Sequence, residues 1–294
     1  MTSYDVIRLV RRRLGGIRAG HAGTLDPFAT GLLPVLVGRA TRLARFVASG
    51  RKRYRASVRF GWATDTDDRT GRPIGDRLHP APDRASLSAV LPAFTGEIEQ
   101  RPPAFSAKRI AGQRAYRLAR QGKPVAAAPV RVHIHALDLE NLEEDTARIT
   151  CEVGPGTYIR ALARDLGERL GGAAHLSALR RTAVGPFAVD EATPPGELPD
   201  RESVLARLLP PLEALRAMPR LPVPEAAARA LGHGRPALPQ MWRDAGGPAL
   251  PNPNSPGELR AAVARSGRTG SELVAVVRPQ AGGFQPVLVW RASG

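Results

Sequence analysis

The sequence predicts an α+β protein: a mixed, largely antiparallel β-sheet with flanking helices, followed by a small β-rich second domain. Three observations point there. Residues 53–60, R-Y-R-A-S-V-R-F, alternate strictly, the two-residue period of a strand with one buried face. Ile159, Leu162, Leu166 and Leu170 recur at spacings of 3, 4 and 4, the stripe of an amphipathic helix. Strand runs and helices do not alternate regularly, which argues against a parallel βαβ fold.

Taken in order, residues 2–14 read as a helix. Thr2 and Asp5 form a capping-box pattern, Val6, Leu9, Val10 and Leu14 make the stripe, and Gly15-Gly16 ends it. In the strand over 53–60, Tyr54, Ala56, Val58 and Phe60 share the inner face; Arg53, Arg55 and Arg59 share the outer one. Residues 64–75 are turn-rich. Short helices are predicted over 86–92 and 111–121, the second capped by Gly122, and strands over 130–139 and 147–153. Cys151 is the single cysteine, which excludes an intrachain disulfide framework. It alternates with Ala147, Ile149 and Val153, as a small core hydrophobe would. Near residue 215 the chain becomes Pro-punctuated, and L-R-A-M-P-R-L-P-V-P-E reads as a linker. Domains are therefore expected over 1–215 and 216–294, the second with a helix over 225–231, a Pro/Gly/Asn-rich loop over 244–257 and strands over 272–277 and 286–291.

The chain of 294 residues carries 43 Lys or Arg against 27 Asp or Glu, a formal charge of +16, and all but Lys52, Lys108 and Lys123 of the basic residues are Arg. Such an excess suggests a polyanionic partner, above all nucleic acid, since the arginine fork matches phosphate and stacks on bases. The start, M-T-S-Y-D-V, has no apolar signal region, and the longest apolar stretch, near 28–38, is interrupted by Gly31 and Pro34. A cytoplasmic protein with no membrane partner is the expectation.

Asp26 lies in G-H-A-G-T-L-D-P-F-A-T-G, before Pro27 and after Gly23. A stiffened loop of this kind suits an ordinary Asp-Pro turn and equally a fixed, exposed carboxylate. Asp65, Asp67 and Asp68 in T-D-T-D-D suggest either a turn or a magnesium site, and His133 and His135 share one strand face without an evident third ligand.

Six segments in fixed order resemble one family. They are the stretch over 20–42 around Asp26; K-R-Y-R-A at 52–56; G-W-A-T-D-T-D-D-R-T-G at 61–71; F-T-G-E-I-E-Q-R-P-P-A-F-S-A-K-R-I-A-G-Q-R-A-Y at 94–116; G-T-Y-I-R-A-L-A-R-D-L-G at 156–167; and L-R-R-T-A-V-G at 179–185. Together they resemble the bacterial tRNA pseudouridine synthases that act on uridine 55 of the T-loop, over about residues 2–190. The resemblance implies Asp26 as the catalytic carboxylate and Arg160 as its cationic partner. It implies Tyr54 stacking on the target base, Tyr158 as a pocket wall, Leu179 as the pocket floor, and His21 filling the stack vacated by a flipped base. Lys52, Arg53, Arg55, Arg180 and Arg181 become candidate phosphate contacts. The chemistry implies no metal and no other cofactor, and the partner is the T-arm of tRNA, bound by a monomer. The segments at 231–238 and 272–290 are similar to the small PUA-like RNA-binding domain of that family.

Two departures bear on this. The family usually opens with an apolar strand and Lys-Pro-x-Gly-x-Thr-Ser, whereas Met1 here stands directly before Thr2-Ser3, so a missing sheet strand is expected. Pro155 occupies a position that is basic in many relatives. The rival readings are a non-catalytic tRNA-binding or folding factor of the same family, and a metal nuclease.

Overall fold

The computed structural model describes residues 1–76, 81–105, 109–110, 113–114, 128–245, 258–266, 270–280 and 282–290. The chain divides into two compact units, Met1–Ala206 and Arg207–Gly294.

The first unit begins with helix α1 (Ser3–Arg13). Thr2 is its N-cap, and the Thr2 and Asp5 side chains satisfy each other's backbone N–H groups, closing the reciprocal box that the sequence announces. Strands β1 (Ala19–His21), β2 (Thr30–Gly31) and β3 (Val35–Val37) follow. β1 and β3 pair antiparallel. The main sheet has seven strands. Beyond β2 these are β4 (Lys52–Phe60), β5 (Gly96–Gln100), β6 (Val130–Glu143), β7 (Thr146–Val153), β8 (Ala174–Val184) and β9 (Phe187–Ala188). Their order is β9-β8-β4-β7-β6-β5, every pair antiparallel, while β2 joins β8 in parallel.

β4 lies inside this sheet, and its alternation is realised: Tyr54, Ala56, Val58 and Phe60 are buried while Arg53, Arg55 and Arg59 are exposed. The buried face is covered by helix α2 (Ile159–Arg169). Ile159, Leu162, Ala163 and Leu166 from α2 join Tyr54, Ile149, Cys151, Leu176 and Leu179 in one core. Fully burying each of these leucines contributes roughly 1.5–3 kcal/mol.

The second unit is a four-stranded sheet. β10 (Arg220–Pro222) runs parallel to β11 (Arg260–Ser266), which continues antiparallel into β12 (Gly270–Gln280) and β13 (Gly283–Val289). Helix α3 (Glu225–Gly232) packs Ala227 and Leu231 onto this sheet together with Trp242 and Phe284. The Trp242 indole N–H donates to Pro222 O (3.0 Å).

Several expectations are corrected. The stretch over 215–225 read as a linker contains β10, whose Leu221 is buried. Pro punctuation marks an edge strand there, where a missing N–H is tolerated. β8 and β11 were not assigned from sequence; β8 carries buried residues on both faces and so lacks a clean alternation. The helix predicted over 111–121 is contradicted at Gln113–Arg114, which pair with Arg109–Ile110 as a two-stranded ladder. Its other residues, Gly122, and most of the 244–257 loop lie outside the described residues. Among the described residues no helix is long and apolar enough to cross a membrane.

Candidate active site

The loop between β1 and β2 places Asp26. Asp26 O accepts from Ala29 N (2.9 Å), closing a tight turn with Pro27 inside it. The loop is therefore a turn by its backbone, and its carboxylate is left to other partners. Gly31 lets the exit of the loop lie flat on β8: its φ is +102°, and a Cβ there would sit 2.2 Å from Arg181 O. Gly23 has φ +103°, a backbone conformation that a side chain would strain.

Arg160 meets the carboxylate from the first turn of α2. Its Nε donates to Asp26 Oδ2 (3.1 Å) and its Nη2 to Asp26 Oδ1 (2.9 Å), a bidentate fork. Nη1 also donates to Thr66 O and Nη2 to Phe105 O (2.9 Å each). Asp68 Oδ2 stands 3.5 Å from Arg160 Nη1. The arginine side chain is only 6% exposed, against 31% for Asp26. The cation is thus sealed into the protein, and one side of the carboxylate remains open.

Asp68 is itself held: it accepts from Thr66 Oγ1 (2.9 Å), Thr70 N (2.9 Å) and Thr70 Oγ1 (2.5 Å). Asp65 accepts from Arg72 N (2.8 Å), and Asp67 pairs with Arg164 (2.9 Å). The three carboxylates of this turn point to separate partners, and among the described residues no group of three or more His, Cys, Asp or Glu could hold a metal ion. His133 and His135 stand side by side, ring centres 4.3 Å apart.

Tyr54 reaches the site from β4, 8% exposed, and burial raises the pKa of its phenol against the opposing pull of the Arg181 guanidinium. Leu179, 7% exposed, packs in the same core. Tyr158 is the residue before α2, and its N–H donates to Gln100 Oε1 (2.8 Å). Gln100 is fully buried, so β5 fixes where α2 starts, and with it where Arg160 stands. This positioning residue was quoted only as part of the Gln-x-Pro-Pro segment; no local signal marks it. His21 sits on β1, its Nδ1 buried without a partner, and burial lowers its pKa.

The candidate phosphate contacts divide. Arg181 is only 1% exposed, and it donates to Leu32 O (2.8 Å), Gly23 O (3.0 Å) and Thr24 O (3.3 Å). As a phosphate contact it is corrected: its donors already clamp the Asp26 loop. Lys52 Nζ donates to Ala48 O (2.7 Å) and Gly50 O (3.1 Å), and burial, with Arg181 nearby, lowers its pKa to about 8. Arg53, Arg55 and Arg180 stand on the opposite face of the sheet, beside a groove of about 620 Å³. Glu152 lies 3.4 Å from Arg53 and Glu140 3.7 Å from Arg55. Strand alternation turns these arginines away from Tyr54, so they do not converge on Asp26.

Comparison with known proteins identifies the family. Residues 11–159 match the model of the TruB family pseudouridylate synthase N-terminal domain, and residues 160–216 that of the tRNA pseudouridylate synthase B C-terminal domain. The chain is 42% identical over 267 residues to tRNA pseudouridine synthase B of Solibacter usitatus (strain Ellin6076), covering 91% of this chain and 81% of that one. It is 38% identical over 299 residues to the protein of the same name from Arthrobacter sp. (strain FB24), covering 99% and 94%. Among solved structures, a chain of a Cbf5-Nop10-Gar1 complex shares the fold, with a TM-score of 0.73 at 24% identity, over all of this chain and 82% of the other. The family match runs through the Asp26 loop, β4 and the start of α2, and the chain belongs to the TruB family of pseudouridylate synthases.

Proposed function

We propose that this chain isomerises uridine to pseudouridine at position 55 in the T-loop of tRNA, with Asp26 as its catalytic carboxylate. The observation that carries this reading is the half-open Asp26 carboxylate gripped by buried Arg160. The names of its curated relatives support the substrate class.

The reaction breaks the C1′–N1 bond of the uridine, turns the uracil, and rejoins it to C1′ through C5; the C5 proton is released and N1 gains one. A carboxylate beside the sugar can attack C1′ as a nucleophile or take a proton from C2′, and this reading leaves either role to Asp26. The bidentate fork fixes the orientation of the carboxylate while leaving one side open to the sugar. In this reading Tyr54 stacks on the target base, Leu179 is the pocket floor and Tyr158 is a pocket wall. His21, with an unpartnered ring nitrogen, is suited to the gap left by an extruded base, a step that costs roughly a few kcal/mol. The second unit is assigned to RNA binding, as a PUA-like module, and the protein acts as a monomer in the cytoplasm.

The test is tritium release from an unmodified tRNA transcript labelled with 5-³H-uridine, EDTA present, comparing the chain with Asp26→Asn. Release by the first and none by the second, with both binding tRNA, is the expected result. Binding without release by either would make the chain a tRNA-binding factor.

A further inference from the structure

The first 60 residues hold 13 of the chain's 43 Lys and Arg but only two of its 27 carboxylates, Asp5 and Asp26. An excess of eleven, out of a net +16, is concentrated in about a fifth of the chain. Much of it coats the lobe made by α1, the β1–β3 ladder and the 3₁₀ turns of Gly38–Leu43. Val10 of α1 and its C-cap residue Leu14 pack against Ala19, Val35 and Val37, so the apolar side of this helix faces inward.

The outer side of α1 carries Tyr4, Arg8, Arg11 and Arg12, all exposed. Their spacing of four, three and one places them on one stripe. The Arg8 guanidinium lies 5.6 Å from the centre of the Tyr4 ring, which is itself 64% exposed. Asp5 pairs with Arg8 (2.8 Å), but neither Arg11 nor Arg12 has an acidic partner among the described residues. Arg18 and Arg42 continue the exposed basic surface beyond the helix.

This surface is tied to the candidate site. Ser3 Oγ accepts from Leu25 N (3.0 Å) and donates to Leu25 O (3.3 Å), so the first turn of α1 is bolted to the residue before Asp26. Arg11 and Arg12 lie eight and nine residues further along the helix than Ser3, about 12–14 Å at 1.5 Å per residue, so they are displaced along α1 from the point where it meets the Asp26 loop.

We propose that the outer face of α1 is a second RNA-docking surface, which takes the phosphate backbone of the tRNA outside the substrate stem-loop. The proposal rests on the isomerase reading above. Arginine forks bind phosphate bidentately, and an exposed tyrosine beside them offers a stacking face. A lipid surface fits less well, because an interfacial helix inserts its apolar face and that face of α1 is packed away.

The experiment compares the full chain with Arg8→Gln/Arg11→Gln/Arg12→Gln, on full-length tRNA and on an isolated T-arm stem-loop. Wild-type tritium release on both substrates checks the underlying reading separately, and a thermal melt shows that the variant folds. The expected result is at least tenfold weaker binding of full-length tRNA. Its log–log salt slope should flatten by roughly two to three, at about 0.7–0.9 per lost phosphate contact, with KM raised, kcat kept and stem-loop binding unchanged. Equal losses on both RNAs would place these arginines at the substrate loop and overturn the proposal. So would unchanged tRNA binding, including the case where the variant loses only its affinity for vesicles of anionic phospholipid.

Discussion

Arg160 holds Asp26 through two hydrogen bonds, Nε to Oδ2 at 3.1 Å and Nη2 to Oδ1 at 2.9 Å, while Asp68 stands 3.5 Å behind it. The guanidinium is wedged between one half-open carboxylate and one buried one. This sandwich makes the cation part of the scaffold as well as of the site.

Arg160→Lys should leave the charge but lose the fork. A misplaced carboxylate of this kind costs about 10²-fold in rate, so tritium release should fall by about that factor while tRNA affinity changes little. Arg160→Met should also destabilise the fold, by about 3–5 kcal/mol, because Asp68 is left buried without its cation. Urea unfolding checks the second effect.

Arg181 is the clamp of the Asp26 loop. Arg181→Met strands the carbonyls of Gly23, Thr24 and Leu32. Only the Leu32 bond is buried, while those to Gly23 and Thr24 are partly buried and can turn to water; an unpaired buried group costs about 1–3 kcal/mol, so a total of up to about 3 kcal/mol is expected. In a unit of this size that lowers Tm by roughly 6–12 °C. A melting curve unchanged within 2 °C, on the order of error, would contradict the clamp.

Lys52 should leave a signature in the pH dependence of stability. Its pKa is lowered from 10.5 to about 8, chiefly by burial. Between those values the unfolded chain binds more protons at this residue than the native one, so its contribution to stability rises with pH. Below about 8 both states are protonated and the contribution is level. Relative to Lys52→Met, the native chain should therefore gain stability from pH 8 to 10.5 and no further above it. Denaturant titrations across that range measure the difference.

Cys151 should be inert. Burial pushes its thiol up to about 12, and the thiolate is the reactive form. Iodoacetamide should label the native chain far more slowly than the chain in guanidinium chloride. Rapid native labelling would show that β7 opens readily.

Periodic signals carried the fold as far as they were clean. β4 and β7 each bury a single face, so their alternation survives as a pattern in the chain, and α2 keeps its stripe of Ile159, Leu162 and Leu166 although its first five residues are all buried. α1 was legible for a different reason: its capping box is purely local. β8 was missed because burial on both faces erases alternation, and β10 because a proline-rich edge strand reads as a connection.

At the site, the residue types and their order are legible in the chain: an Asp-Pro turn carrying Asp26, a tyrosine on the inner face of β4, an arginine at the start of α2. What each residue does to the others depends on the folded arrangement. Arg160 lies 134 positions from Asp26, and Arg181 lies 149 from the Leu32 carbonyl it clamps. Arg160, Arg180 and Arg181 look alike in the chain. Burial then makes one the partner of Asp26, leaves one on the far face of the sheet, and turns the third into a strut. That difference arises because a guanidinium removed from water must find acceptors, and which acceptors surround it is fixed by the packing of distant segments.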